Sequence, residues 1–202
     1  MTVLISGPAD DALEGELVAR GLELTREGET ADDLVTIPPR VELDRLAEVS
    51  PERWLDAFDA WAREPFFAVQ QWFGQALARG TGSWVAVTST LGTQPFPEGG
   101  APGAGAMALH TLVRVAALEG GPRGVRANAV AVGWLDASIP SRLDVELSVT
   151  DTPLRRLATP ADIAGTVAWL LSPAAAHVTG EVVRVDGGYT ITRGSRPDPR
   201  KE

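Results

Sequence analysis

The chain has 202 residues, 44% of them hydrophobic, and a formal net charge of −9 at pH 7. This length and apolar content suit one domain, which we expect over residues 1–192, followed by a mobile, charged tail over 193–202. The acidic residues are spread along the chain. Nucleic acid and anionic membranes are therefore excluded as expected partners, because both require clusters of Lys and Arg.

Cysteine is absent, and the two histidines, His110 and His177, lie far apart in the sequence. This composition excludes disulfides and thiolate catalysis, and no metal site is expected because carboxylates would have to supply the other ligands without a recognisable spacing. The N-terminus has no basic region followed by an apolar run. No apolar stretch approaches the roughly 18 residues of a membrane-spanning helix. We expect a cytoplasmic protein.

Strands and helices alternate from the beginning of the chain. Residues 2–7 form a short β-branched run that ends in glycine, and residues 10–21 have the apolar spacing of a helix. Two further short strands are expected at 22–25 and 34–37, the second closed by a pair of prolines. Since these two strands begin only about a dozen residues apart, too few for a full strand and helix between them, the N-terminal half of the fold is shortened.

The middle of the chain predicts a long helix over 51–79, capped by Ser50 and bent near Pro65. A buried strand is expected at 83–88. A loop rich in Gly and Pro then leads into a helix of small residues at 104–118.

The C-terminal part repeats the alternation. It predicts a strand at 125–132, a helix at 159–171 capped by Thr159, and a last strand at 181–185. Together these elements predict an α/β fold of the Rossmann-like, doubly wound type, with a parallel sheet covered by helices on both faces.

Three stretches of the sequence resemble the short-chain dehydrogenase/reductase family. They are VAVTSTLG at 85–92, GVRANAVAVGW at 124–134 and LATPADIAGTVAWLLSPAAAHVTGEVVRVDGGYT at 157–190. The resemblance implies a nicotinamide dinucleotide cofactor and hydride transfer. In the family, Tyr acts as acid or base, Lys lowers the pKa of that Tyr, Ser orients the carbonyl and Asn holds a proton-relay water.

The family's catalytic set is mostly missing from this chain. Ser89 falls at the serine position, whereas Trp61, Pro102 and Ala106 fall at the positions of the Asn, Tyr and Lys. Proline and alanine have no ionisable group and an indole N–H only donates, so these residues cannot perform the family's proton chemistry. We therefore expect no catalytic residues of the family type.

The cofactor motif is altered as well. The family's glycine-rich turn becomes SGPADDAL at residues 6–13, which keeps only its first glycine, Gly7. Asp10 and Asp11 place negative charge where a pyrophosphate would sit, and two charges about 4 Å apart repel by about 4 kcal/mol at an effective dielectric near 20. We expect no cofactor and no cofactor-binding residues.

One candidate pocket remains, at the place of the family's substrate loop. Within 134–153, Trp134, Asp136 and Ser141 are candidates to line a pocket beside Ser89, although an ordinary loop explains the segment equally well. Ser89 itself is more simply a turn former whose hydroxyl satisfies nearby backbone. No arrangement of Ser, His and Asp is evident, and His110 is a weak catalytic candidate.

Three functional hypotheses follow. The leading one is a catalytically silent subunit, inactive alone, that associates with an active family member or with itself, because the segments 62–79, 104–118 and 159–190 resemble the family's oligomer contacts. The second is a cofactor-independent lyase, isomerase or dehydratase that uses the former substrate cleft. The third is a nicotinamide-dependent oxidoreductase whose proton donor has moved.

Overall fold

A computed structural model describes residues 1–26, 31–40, 42–135 and 145–192. Its strands are β1 (Thr2–Ser6), β2 (Glu23–Thr25), β3 (Asp33–Thr36), β4 (Gly82–Ser89), β5 (Val125–Val132) and β6 (Val182–Val185). They form one parallel sheet in the order β2-β1-β3-β4-β5-β6. The predicted parallel α/β sheet is confirmed. The predicted tail, 193–202, lies outside the described residues.

Helices cover both faces of the sheet. They are α1 (Asp11–Ala19), α2 (Pro51–Phe58), α3 (Glu64–Arg79), α4 (Gly100–Gly120), α5 (Val145–Asp151), α6 (Pro160–Leu171) and α7 (Tyr189–Thr192). One apolar cluster joins the sheet to α1 and α6 through residues such as Leu17 and Leu170. A second joins it to α3 and α4 through residues such as Trp72 and Leu109.

The long helix predicted over 51–79 is interrupted. Asp59–Arg63 is a π-helical turn between α2 and α3, so the departure from regular α-helix lies ahead of Pro65. Pro65 comes just after this turn, and the irregular backbone ahead of it suits a residue that has no N–H to donate to the preceding helical turn. π-helical turns inside helices are frequent at functional sites.

Two other boundaries differ from the sequence prediction. α4 begins at Gly100, ahead of the predicted residue 104, because Pro102 fits in a first helical turn. The segment 134–153, interpreted as a loop, contains α5. This helix is short, and near its end the Thr152 hydroxyl donates to the Ser148 carbonyl at 2.9 Å. So short a segment gives too little periodicity to recognise.

Among the described residues, Gly100–Arg123 is the one helical stretch long and apolar enough to cross a membrane by length and composition alone. Half of its most apolar segment is buried inside the protein, as expected for a core helix. Ala106, Leu109 and Val113 of α4 are almost completely buried.

Candidate functional site

A crevice opens at the carboxyl ends of the central strands. β1 lies between β2 and β3, so the chain leaves β1 to one side and returns on the other, and parallel α/β sheets bind ligands at such switch points. The crevice has a volume of about 110 Å³. Residues from the ends of four elements line it, including Asp10, Ile37, Ser89 and Gly133.

Ser89 ends β4 at the floor of this crevice and is 8% exposed. Its Oγ accepts the Leu91 N–H at 3.1 Å and so caps a 3₁₀ turn, Thr90–Gly92. The turn-forming role inferred from sequence is therefore present. The Ser89 hydroxyl hydrogen is not used by that bond and can donate to a bound oxygen.

Thr88, next to Ser89, also contributes to the crevice wall. Its Oγ1 is buried and has no hydrogen-bond partner among the described residues. A buried hydroxyl without a partner is costly, so such an atom often marks a place where water or a ligand binds. Sequence reasoning missed Thr88 because a Thr inside a buried strand is ordinary.

Trp61, Pro102 and Ala106, which the resemblance assigned to the family's other catalytic positions, have no titratable side chain. Trp61 is 3% exposed, sits in the π-helical turn and lines the crevice. Pro102 and Ala106 are buried one turn apart on α4. The next turn of α4 carries His110.

His110 is completely buried, and neither of its ring nitrogens has a partner among the described residues. Burial, with a smaller effect from Arg114, lowers the pKa of His110 to about 4. The ring packs against Gly92 in the 3₁₀ turn, where a Cβ atom would approach the His110 Cε1 to 2.7 Å. At neutral pH His110 is an uncharged packing residue behind the turn.

The turn between β1 and α1 is closed by its own hydrogen bonds. The Asp10 carboxylate accepts the Leu13 N–H at 3.0 Å and caps α1, while the Glu14 carboxylate accepts the Asp10 N–H at 3.1 Å. Arg26 donates to the carbonyls of Gly7 and Pro8 and pairs with Glu14 at 2.5 Å. This hydrogen-bonded Arg26 lowers the pKa of Glu14.

A dinucleotide pyrophosphate fits this turn poorly. Gly7 keeps the left-handed backbone that the turn needs, with a φ of 119°, and a side chain there would clash with the Ile37 carbonyl. The Asp10 carboxylate, however, already takes a helix N–H that would serve an anion and adds a negative charge to the crevice wall. The residues present at this end of the crevice do not match the phosphates of the family's cofactor.

The predicted pocket residue Trp134 is found elsewhere than on the crevice wall. It is the middle of an aromatic row, with ring centroids 5.4 Å from Phe96 and 5.8 Å from Tyr189. Its neighbour Leu135 lines the crevice instead. Asp136 and Ser141 lie outside the described residues.

A carboxylate with a strongly perturbed pKa, Asp33, lies at the amino end of β3, away from the crevice at the carboxyl ends of the strands. Burial raises the pKa of Asp33 to about 6, although Oδ1 accepts the Ser83 N–H at 2.6 Å. Asp33 shares a cavity of about 370 Å³ with Arg126, whose pKa burial lowers. The hypothesis of a cofactor-independent lyase requires such a carboxylate beside Ser89. Asp33 lines a different cavity from Ser89 and does not meet this requirement.

Within the described ranges, no group of three or more His, Asp or Glu side chains is placed to hold a metal ion.

The chain is similar in sequence to proteins named as dehydrogenases and reductases. A family profile described as enoyl-(acyl carrier protein) reductase matches residues 34–190. Galactitol 2-dehydrogenase (L-tagatose-forming) of Cereibacter sphaeroides is 40% identical over 129 residues, which are 59% of this chain and 50% of that protein. A 3-oxoacyl-[acyl-carrier-protein] reductase of Staphylococcus epidermidis is 30% identical over 146 residues, 71% of this chain and 60% of that protein.

Solved structures agree on the fold. A putative oxidoreductase from Escherichia coli K-12 superimposes with a TM-score of 0.83 at 20% identity, covering 98% of this chain and 99% of that one. The fold defines a protein of the Rossmann-like α/β class. The chain belongs to the short-chain dehydrogenase/reductase family. It spans about half the length of the curated relatives that it matches.

These comparisons correct the leading functional hypothesis. The relatives bear the names of dehydrogenases and reductases, which overturns the prediction of a catalytically silent subunit and favours the oxidoreductase alternative. The prediction relied on missing side chains at three positions. It gave too little weight to the similarity with enzymes that extends over residues 34–190.

Proposed function

We propose that the chain is an oxidoreductase of the short-chain dehydrogenase/reductase family that acts on a carbonyl or alcohol in the crevice. The observation that carries the proposal is the position of Ser89, which ends β4 at the switch point with its hydroxyl hydrogen available to a ligand. The names of the matched relatives support the same reaction class.

Such a reduction adds a hydride to the carbonyl carbon and a proton to its oxygen. A nicotinamide dinucleotide supplies the hydride in the family, and the Ser89 hydroxyl is suited to hold the substrate oxygen. The proton cannot come from position 102 or 106, where Pro102 and Ala106 have no ionisable group. It therefore comes from a group other than the family's Tyr, with solvent at the open crevice as the ultimate source.

The test is a pair of measurements on the purified chain. NADH and NADPH are titrated by fluorescence, and turnover is followed at 340 nm against a panel of ketones, 3-oxoacyl thioesters and sugar alcohols. We expect weak but saturable binding of one nucleotide, since the Asp10 carboxylate opposes its phosphates, and turnover that falls at least about tenfold in Ser89→Ala, the effect of losing one hydrogen bond to the reacting oxygen. Thr93→Ala, on the surface beyond the turn, is the control. Absence of both binding and turnover would overturn the proposal.

Members of this family commonly form oligomers. We propose that this chain associates with a second copy of itself through α3 and α4, whose outward surface carries large apolar side chains that are 40% to 77% exposed: Phe66, Phe67, Met107, Val115 and Leu118. Light scattering is expected to give at least a dimer. Leu118→Glu is expected to shift it to monomer, and a wild-type monomer would refute the association.

A further inference from the structure

A second cavity lies beside the crevice, between the β3–α2 connection, α2 and the start of α4. We call it the α2 cavity; its volume is about 290 Å³. It shares three wall residues with the crevice: Pro39, Arg40 and Trp61. The buried Trp61 side chain therefore lies between the α2 cavity and the crevice that contains Ser89.

The wall of the α2 cavity is tied together by backbone contacts. The Asp44 N–H donates to the Glu98 carbonyl at 2.9 Å, and Asp44 forms a parallel bridge with Gly99, so the β3–α2 connection is fastened to the segment before α4. Glu98 has a φ of 72°, a left-handed conformation that is uncommon outside glycine. Strained backbone of this kind clusters at ligand sites, where the surroundings hold it in place.

Most charges around the α2 cavity neutralise one another. Arg53 donates to Asp44 and Glu42, with distances of 2.8 Å to each carboxylate. Glu98 pairs with Arg45 at 3.5 Å.

Two opposite charges remain in the α2 cavity. Arg40 and Asp56 both line it, and neither of these two exposed side chains has an ion pair or hydrogen bond with any part of the chain that the structure describes. They do not pair with each other. An anion alone would meet Arg40 but leave the Asp56 charge opposed to it, and a cation alone would do the reverse. A molecule with one charge of each sign satisfies both.

The rest of the wall is apolar. Leu46, which is 78% exposed, Val49, Ala57 and Ala60 line the same cavity. An aliphatic chain placed against them would remove apolar surface from water.

We propose that the α2 cavity binds a small zwitterion, an aliphatic compound with a carboxylate that contacts Arg40 and an ammonium group that contacts Asp56. This site goes beyond the proposed oxidoreductase function, because Ser89 does not line the α2 cavity, although Arg40 borders both cavities. The ligand class follows from two opposite charges, Arg40 and Asp56, that line one cavity together with apolar side chains.

Calorimetric titration without cofactor or substrate tests the proposal with four probes of matched chemistry. These are 4-aminobutanoate, 6-aminohexanoate, hexanoate and hexylamine. We expect at least one zwitterion to bind about fivefold or more tightly than either singly charged probe, and binding to weaken at high salt because the charges are exposed.

Two variants separate the roles of the charges. In Arg40→Gln the zwitterion should lose its advantage over hexylamine, and in Asp56→Asn it should lose its advantage over hexanoate. Arg123→Gln and Glu119→Gln, two exposed changes outside the α2 cavity, should leave all four affinities unchanged. The proposal would be overturned if the wild-type chain bound the zwitterions no more tightly than hexanoate or hexylamine, or if it bound none of the four probes. Because no turnover is measured, this result is independent of the proposed enzyme activity.

Discussion

Trp61 occupies the space that a side chain at Gly105 would need. A Cβ atom built on Gly105 would lie 2.5 Å from the Trp61 Cβ, so α4 and the π-helical turn touch backbone to side chain at this point. The glycine admits the indole that separates the crevice from the α2 cavity. The large side chain of Trp61 thus fits only because position 105 is a glycine.

Gly105→Ala is expected to destabilise the fold by about 1–3 kcal/mol, because the added methyl overpacks the contact with Trp61. Urea unfolding monitored by circular dichroism measures the change. The matched control is Gly74→Ala in α3, where nothing lies within 4 Å of the added Cβ and the greater helix propensity of Ala should raise stability by up to about 1 kcal/mol. Equal effects of the two substitutions would contradict the packing account.

Asp33→Asn is expected to raise the unfolding free energy at pH 7 while leaving it little changed near pH 4. Burial raises the pKa of Asp33 from 3.8 in the unfolded chain to about 6 in the folded one. The contribution of the protonated Asp33 to the free energy of unfolding is therefore complete below pH 3.8 and is lost as the pH rises through 6. Asn keeps an acceptor for the Ser83 N–H and never ionises. The gain at pH 7 is at most about 3 kcal/mol.

The measurement for Asp33 is urea unfolding of both proteins at several pH values between 4 and 8. The difference between the two curves isolates this one carboxyl from the others. A difference that is constant with pH would show that Asp33 does not titrate in this window.

His110→Leu is expected to stabilise the fold by about 1–3 kcal/mol, because the imidazole nitrogens are buried without partners within the described structure. Burial lowers the pKa of His110 from 6.5 to about 4. The unfolded chain therefore takes up a proton at His110 more readily than the folded one. The wild-type free energy of unfolding keeps its full value above pH 6.5 and falls as the pH drops towards 4, whereas the Leu variant has no such fall. Thermal unfolding at pH 7.5 and pH 5 compares them. A destabilised Leu variant would indicate that His110 has a polar partner, such as a bound water.

Asp10→Asn is expected to tighten dinucleotide binding by about tenfold or more, since it removes the charge from the crevice wall yet retains the cap on the Leu13 N–H. Fluorescence titration with NADH and NADPH at low ionic strength measures the affinity. Asp11→Asn is the control, because Asp11 carries the same charge one residue further on and does not line the crevice. If Asp11→Asn strengthens binding as much as Asp10→Asn, general charge rather than this contact limits the affinity.

The order of strands and helices followed from sequence because each element carries its own local signal. β5 was predicted at 125–132 and found at Val125–Val132, and the Thr159 cap of α6 is present as a full capping box with Asp162. Apolar periodicity and capping residues act within a few positions of each other, so they can be read from the chain alone. The assignment of Trp61, Pro102 and Ala106 to the family's catalytic positions rests on counting residues and stays a prediction.

Tertiary structure decided what fills the space around those positions. No local pattern indicated that Trp61 would rest on Gly105, that the Asp10 carboxylate would cap α1 inside the crevice, or that Arg40 and Asp56 would share a cavity unpaired. The first and third depend on separate segments that meet in the fold, and the second depends on the crevice that the strand ends form around the cap. Side-chain identity and spacing determine secondary structure and family, whereas burial, cavities and unpaired charge arise only from how the elements pack.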